Sequence, residues 1–129
     1  MEISTKQKIS LQHFEDIIIT ALEGGSNYWY ELDTNEFKDK LPKNDKTFSE
    51  KISEALFNDT TFEMNVYDIE RINIDDILGT VTQASIKKAI EIAYKDYPNI
   101  YSDFIEGTGD AETADVLFQL AVMGKLIFG

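Results

Sequence analysis

The segment Val116–Met123 constrains the fold more than any other part of the sequence, because it is apolar on almost every side when read as a helix. Helices of this kind are usually buried on most sides, so we expect it to lie in the core. Gln119 is the only polar residue in the segment, and a buried glutamine needs a hydrogen-bond partner. We therefore expect Gln119 to serve as a structural bridge rather than as a ligand contact. The predicted helix runs over 111–123 and ends at Gly124.

Two helices are predicted in the first half of the chain from the helical spacing of their apolar residues. Ser10 is a suitable N-cap for the first helix, and the glycine pair at 24–25 is expected to end it. Thr47 can cap the second helix, which should end at 58–59. The charged stretch 33–46 between them is predicted as a loop with some short helical content.

A further helix is predicted in the second half of the chain. Asn73 can cap it, and Gly79 is expected to interrupt it before it continues to about Tyr97. Pro98 then stops it, because proline disfavours the helical conformation of the residue before it. A short turn or helix over 100–105 follows.

Several short segments have the composition of strands. Residues 27–32 are rich in strand-forming residues, and 62–67 alternate between apolar and polar side chains. A turn near 68–70 would return the chain through 71–73 and make a hairpin. Residues 126–128 are predicted to form a closing strand.

This order of elements predicts an α+β domain with a small, mostly antiparallel sheet packed against about four helices. The 129 residues fit a single domain spanning 1–129. We treat the polar residues 1–9 as an extended or frayed lead-in.

The strongest compositional feature is negative charge, with 24 acidic residues against 12 basic ones and a net charge of −12. Arg71 is the only arginine. Because phosphate recognition depends heavily on arginine and like charges repel, we expect no direct binding to nucleic acid and none to an anionic membrane. No apolar run approaches the length of a membrane span, and we expect the protein in the cytoplasm.

The acidic residues are densest towards the end of the chain, where Lys125 is the only cation after Asp96. Two interpretations remain open: a solvated surface that keeps the protein soluble, or an acidic patch that docks on a basic protein groove. The second interpretation assigns partner binding to five acids: Asp103, Glu106, Asp110, Glu112 and Asp115.

The most concentrated aromatic cluster is Tyr28-Trp29-Tyr30. Packing of a strand on a helix explains such a cluster, but successive strand residues point to opposite faces, so one face could be exposed. Exposed tryptophan and tyrosine are favoured interface anchors. We therefore add Tyr28, Trp29 and Tyr30 to the candidate partner-binding residues.

The residues offer little for catalysis. The chain has no cysteine and a single histidine, His13, which excludes thiolate chemistry and a typical transition-metal site. We expect His13 at the surface or at its boundary. Paired carboxylates such as Asp75-Asp76 could bind Mg²⁺, but among 24 acids such pairs arise by chance. The expectation is a protein without catalytic residues, metal or cofactor.

Two stretches, at 21–29 and 111–129, carry a resemblance to a known family. The first reads A-L-E-G-G-S-N-Y-W, and the second contains A-D-V-L-F-Q-L-A-V-M-G and ends I-F-G. Together they resemble a family of small uncharacterised proteins from bacteriophages and prophages. The resemblance implies no activity and no catalytic residues. It implies a phage-encoded accessory protein, and proteins of that kind often bind a host or phage protein, with the blocking of a defence nuclease as one recurrent role.

The leading hypothesis is therefore a non-enzymatic protein of a phage or mobile element that inhibits a host nucleic-acid-handling or defence protein. Its acidic surface would bind a basic surface on that protein. Three alternatives stay open: an immunity-type protein that neutralises a basic toxin, a homo-oligomeric structural phage protein, and a small Mg²⁺-dependent enzyme that uses carboxylates.

Overall fold

Five α-helices and a three-stranded sheet make up the described part of the chain, which comprises residues 2–3, 6–70 and 76–129 of a computed structural model. The helices are α1 (Leu11–Thr20), α2 (Phe48–Asn58), α3 (Gln83–Asp96), α4 (Pro98–Glu106) and α5 (Ala111–Met123). The strands are β1 (Tyr30–Glu31), β2 (Met64–Asp68) and β3 (Ile77–Val81). A π-helical turn, Ala21–Gly25, extends α1, and 3₁₀ turns occupy Thr34–Glu36 and Lys38–Lys40. The predicted α+β class is confirmed.

Three helices begin where the sequence predicts, because each has a capping side chain. The side chains of Ser10, Thr47 and Asp110 each accept a hydrogen bond from the backbone N–H three residues further on. Such a bond satisfies one of the N–H groups that a helix start leaves without a partner. Helix α5, Ala111–Met123, coincides with its predicted range, and Gly124 ends it in the left-handed conformation.

The sheet is antiparallel, with β2 paired to β1 on one side and to β3 on the other. The predicted hairpin exists, but its return strand is Ile77–Val81. The predicted return strand at 71–73, like the Asn73 cap, lies outside the described residues. The helix predicted from Asn73 with an interruption at Gly79 is wrong over 77–81, because these residues form β3 and pair with β2.

Gly79 explains how β3 can pack directly on the last helix. A Cβ atom at this position would lie 1.8 Å from the carbonyl oxygen of Val122 in α5. Only glycine permits that approach of two backbones. The sequence therefore uses Gly79 for close packing between a strand and a helix, and not to interrupt a helix.

Helix α5 lies at the centre of the core, as its apolar composition predicts, and it packs against α1, α3 and β3. Leu117 and Phe118 are fully buried in it. The lead-in also contributes, because Ile3 and Ile9 are buried. A β-bridge joins Glu2 to Lys8 and folds the lead-in back on itself. These contacts correct the expectation of a frayed start.

Candidate functional site

Asp115 on α5 is buried, with 9% of its surface exposed, and its carboxylate accepts four side-chain hydrogen bonds. The oxygen Oδ1 accepts from Ser26 Oγ at 2.7 Å and from Trp29 Nε1 at 2.8 Å. The oxygen Oδ2 accepts from the Tyr28 hydroxyl at 2.6 Å and from Gln119 Nε2 at 3.1 Å. All four donors are neutral groups, and three of them come from the loop after α1. We call these five residues the Asp115 hub.

The loop reaches Asp115 because the π-helical turn brings it against the start of α5. The Ser26 N–H donates to Ala21 O at 2.9 Å, and the Trp29 N–H donates to Ser26 O at 3.1 Å. A Cβ atom on Gly25 would lie 2.8 Å from the carbonyl oxygen of Ala111. The glycine at 25 therefore permits a close approach to α5, and this role goes beyond ending the first helix.

Gln119, one turn after Asp115, ties the segment after α5 to the hub. Its Oε1 accepts the N–H groups of Ile127 at 3.0 Å and of Phe128 at 2.9 Å, and its Nε2 donates to Phe128 O at 3.1 Å. The predicted bridging role is confirmed. The predicted strand at 126–128 is wrong, because a side-chain amide takes the backbone hydrogen bonds that a neighbouring strand would otherwise supply.

The ring of Phe128 covers the indole of Trp29. The two rings are stacked, with centroids 5.2 Å apart and an interplanar angle of 13°. Phe118 of α5 contacts the indole as well, at 5.5 Å. Trp29 is consequently only 1% exposed.

Burial removes two residues from the predicted partner-binding set. Trp29 is 1% exposed, and Asp115 is 9% exposed with its carboxylate engaged by the hub, which corrects the expectation that both are exposed partner-binding residues. Tyr30 is half-buried, and its hydroxyl donates to Leu22 O at 2.7 Å. Tyr28, in contrast, is 49% exposed.

Tyr28 combines an exposed ring with a hydroxyl that is held by the hub. Desolvation of the hydroxyl, followed by the hydrogen bond to Asp115 and the charge of that carboxylate, raises the pKa of Tyr28 to about 12. Both the hydrogen bond and the charge favour the protonated hydroxyl, because ionisation would remove a donor and place two anions together. Tyr28 is therefore a neutral hydrogen-bond donor over the whole ordinary pH range.

The hub has the features of a structural hydrogen-bond network that holds the loop after α1 against α5. Ser26 is fully buried, so its hydroxyl is closed to a substrate.

His13, the one histidine, is half-buried and accepts the Ser10 N–H at the start of α1. Within the described ranges, no group of three or more His, Asp or Glu residues is placed to hold a metal ion. The helices there are also too short or too polar to cross a membrane.

The remaining predicted acids lie where α4 ends and α5 begins. Asp103 and Glu106 are exposed and three residues apart, so they lie on one face of α4. Asp110 and Glu112 are exposed at the start of α5. Only three residues separate Glu106 from Asp110 in the sequence, so their Cα atoms lie at most about 14 Å apart. The end of α4 and the start of α5 are therefore neighbours along the chain, and we call these four acids the acidic end.

Asp110 differs from the other three because it is engaged at the helix start. The backbone N–H of Thr113, and then its hydroxyl, donate to the carboxylate and hold the pKa of Asp110 below its ordinary value. The side chains of Asp103, Glu106 and Glu112 form no hydrogen bond or ion pair with another described residue. These three carboxylates are free to meet a partner.

A shallow groove of about 450 Å³ connects the hub to the acidic end. Its walls include Tyr28, Glu112, Val116, Leu126 and Phe128. Leu126 is 38% exposed, so an aromatic ring, an aliphatic side chain and a carboxylate are open to solvent side by side. We call this feature the Tyr28 groove.

Sequence reasoning missed the Asp115 hub. The available signal was spacing, because Asp115 and Gln119 are four residues apart and therefore share a face of an otherwise apolar helix. Two polar residues on one buried face need hydrogen-bond partners from elsewhere in the chain. Residues 26–29, which belong to the first stretch of the phage resemblance, supply donors for Asp115.

No protein-family model, curated protein or solved structure matches this chain. The resemblance to a phage family stays a prediction. The two stretches that carry it, 21–29 and 111–129, are the ones that meet in the hub.

Proposed function

We propose that the protein is a non-enzymatic accessory protein that binds a basic surface of another protein. The binding surface consists of the Tyr28 groove and the acidic end. The observation that carries the proposal is the groove itself, in which the exposed ring of Tyr28 lies beside Glu112 and Leu126.

The chemistry of the Tyr28 groove suits a lysine or arginine side chain. The aliphatic stem of such a residue can pack on Leu126 and on the ring of Tyr28, while its cationic group meets Glu112. A cation held over an aromatic ring contributes about 0.5–1 kcal/mol at an exposed site. Tyrosine also supplies contact area at a low cost in side-chain entropy, which is why it is common at interfaces.

The acidic end would guide the partner to the groove. Residues 97–124 contain no lysine or arginine, so no cation of that stretch offsets the four carboxylates. Complementary charge raises association rates and selects partners. Since these carboxylates are exposed, we expect them to affect the rate of encounter more than the lifetime of the complex.

The finer assignment of the partner depends on the sequence. The resemblance to phage proteins favours a host protein as the target, and the negative charge favours a protein whose groove normally holds nucleic acid. We therefore propose an inhibitor of a nucleic-acid-handling or defence protein of a bacterial host.

The test compares retention of bacterial-lysate proteins by the immobilised wild-type chain and by charge-reversal variants. Glu112→Lys reverses one charge inside the groove. Glu63→Lys changes the net charge equally on an exposed residue just before β2, outside the groove. We expect a protein that is held by the wild-type chain and by Glu63→Lys, released by Glu112→Lys and eluted as salt screens the charges.

Leu126→Ser checks the apolar part of the groove with no change in charge. It should weaken the same interaction while the protein stays folded, because Leu126 is already partly exposed. The proposal would be contradicted if retention of the lysate protein did not change with ionic strength, or if Glu112→Lys and Glu63→Lys retained it equally.

A further inference from the structure

A second groove, whose charged residues are mostly basic and not acidic, lies around the start of α2. It encloses about 580 Å³ and its walls are formed by residues from the loop before α2 and from the first turn of that helix. The apolar part consists of Leu41, Pro42 and Phe48, and the basic part consists of Lys38, Lys43 and Lys51. We call it the lysine groove.

Positive charge is concentrated in this region of an otherwise acidic chain. Five of the 12 basic residues lie within 38–51, against three acids in the same stretch. Outside 38–51 the chain has 21 acids and 7 basic residues, from the same total of 24 and 12. At physiological salt the Debye length is about 8 Å, so more distant acids are largely screened from a ligand in the groove.

Two of the five lysines, Lys40 and Lys46, do not line the groove. Lys46 forms an ion pair with Glu54. Hydrogen bonds from Thr61, and to a smaller extent the charge of Lys40, hold the pKa of Asp59 below its ordinary value. The three lysines of the groove make no ion pair or side-chain hydrogen bond with another described residue. Their ammonium groups can therefore meet an incoming anion, with Asp39 the one carboxylate on the groove wall.

Phe48 gives the groove a fixed apolar anchor. Phe48 is the first residue of α2 and is 42% exposed, which is high for a large apolar residue. Its ring packs against Phe37, with centroids 6.0 Å apart and an interplanar angle of 30°, and Phe37 is buried against Phe62. One side of the Phe48 ring is thus supported by the core while the other is open. An aromatic ring held in this way can bind an apolar side chain without first losing much freedom.

We propose that the lysine groove binds a short acidic segment of a partner protein, with an apolar side chain of that segment on Phe48 and its carboxylates at Lys38, Lys43 and Lys51. Charge complementarity selects this occupant. A nucleic-acid strand fits less well, because the described residues of the groove include no arginine and one open aromatic ring, where successive bases need successive stacking platforms. The chain would then carry two binding surfaces of opposite charge, and this inference does not rest on the Tyr28 groove.

The test measures binding of a fluorescent peptide that consists of Asp and Glu residues around one central Leu. We expect binding by the wild-type chain, about fivefold weaker binding by Lys43→Glu, and a similar loss when the central Leu of the peptide is replaced by Ser. Lys88→Glu on α3 is the matched control, since it makes the same charge change on an exposed lysine outside the groove. Glu112→Lys should leave peptide binding intact, which separates this test from that of the Tyr28 groove.

Four results would overturn the proposal. The first is equal loss of binding in Lys43→Glu and Lys88→Glu, which would mean that net charge alone acts. The second is tighter binding of a single-stranded oligothymidine than of the peptide, which would make nucleic acid the occupant. The third is self-association in sedimentation that Lys43→Glu abolishes, which would make a second copy of the chain the occupant. Absence of peptide binding at millimolar concentration would count equally against it.

Discussion

The indole nitrogen of Trp29 lies 2.8 Å from a carboxylate oxygen of Asp115, although the two residues are 86 positions apart in the sequence. The same oxygen accepts the hydroxyl of Ser26 at 2.7 Å. One carboxylate on the central helix therefore fixes the loop that follows the first helix. The position of Tyr28, and with it the shape of the Tyr28 groove, depends on this contact.

Removal of the Asp115 carboxylate should lower the free energy of unfolding by about 3 kcal/mol or more. Asp115→Ala leaves the buried donors of Ser26 and Trp29 without an acceptor, and each orphaned buried donor costs about 1–3 kcal/mol. Asp115→Asn keeps one oxygen and should cost less. Chemical denaturation of both variants measures this. Glu112→Ala, an exposed acid of the same helix, is the control and should change stability by less than about 0.5 kcal/mol. Equal effects of Asp115→Ala and Glu112→Ala would refute the structural role of the hub.

Loss of the Gln119 amide should release the segment after α5 before the rest of the fold. Gln119→Leu introduces an apolar side chain of similar size and removes the acceptor of the Ile127 and Phe128 N–H groups. Amide hydrogen exchange should therefore accelerate at these two residues by at least about tenfold, while α1 and α3 keep their protection. The fluorescence of Trp29 should also change, because Phe128 stacks on the indole. Unchanged exchange at Ile127 and Phe128 would show that the amide does not hold the segment.

A methyl group at position 79 should be strongly destabilising. In Gly79→Ala the new Cβ would lie 1.8 Å from the carbonyl oxygen of Val122, so β3 and α5 must move apart. We expect a loss of about 3 kcal/mol, at the upper end of the usual cost of overpacking. Thermal or chemical unfolding would measure it. Thr80→Ala is the comparison, because Thr80 follows Gly79 in β3 and its hydroxyl donates a hydrogen bond to Asn65 of β2. Its loss should cost about 1 kcal/mol. A Gly79→Ala protein as stable as Thr80→Ala would place the strand further from the helix.

Tyr28 should contribute stability that is lost in alkali. Its pKa is about 12 in the folded protein against an ordinary value of 10.0. Between these values the unfolded chain loses the proton while the folded protein keeps it, so ionisation favours unfolding. The contribution is complete below pH 10 and disappears as the pH rises from 10 towards 12. The difference in unfolding free energy between wild type and Tyr28→Phe should be constant up to about pH 10 and then decline. A difference that stays level into strong alkali would disprove the link.

Local signals in the sequence predicted where α1, α2 and α5 begin, whereas the Thr82 cap of α3 was missed. Ser10, Thr47 and Asp110 cap α1, α2 and α5 through bonds that reach only three residues along the chain. The uniformly apolar run of α5 likewise predicted its place in the core. These features depend on neighbours in sequence, so a single sequence contains them.

Features that depend on distant partners were missed. The short segment 77–81, in which Ile77, Leu78 and Val81 are apolar, is compatible with a helix or a strand, and its pairing with β2 decides the outcome. Asp115 looked like one more surface acid, because its hydrogen-bond donors lie in another part of the chain. Trp29 looked like a candidate anchor for the same reason, since Phe128, which covers it, follows the last helix.

The distance along the chain between Trp29 and its cover also has a consequence for synthesis. At roughly 5–20 residues per second, translation needs about 4–17 s to pass from Trp29 to Asp115. Throughout that interval the indole on the nascent polypeptide has neither its acceptor nor its stacking partner. The nascent chain therefore exposes an unpaired indole to chaperones and to neighbouring nascent chains. The indole becomes buried only after α5 and Phe128 have left the ribosome.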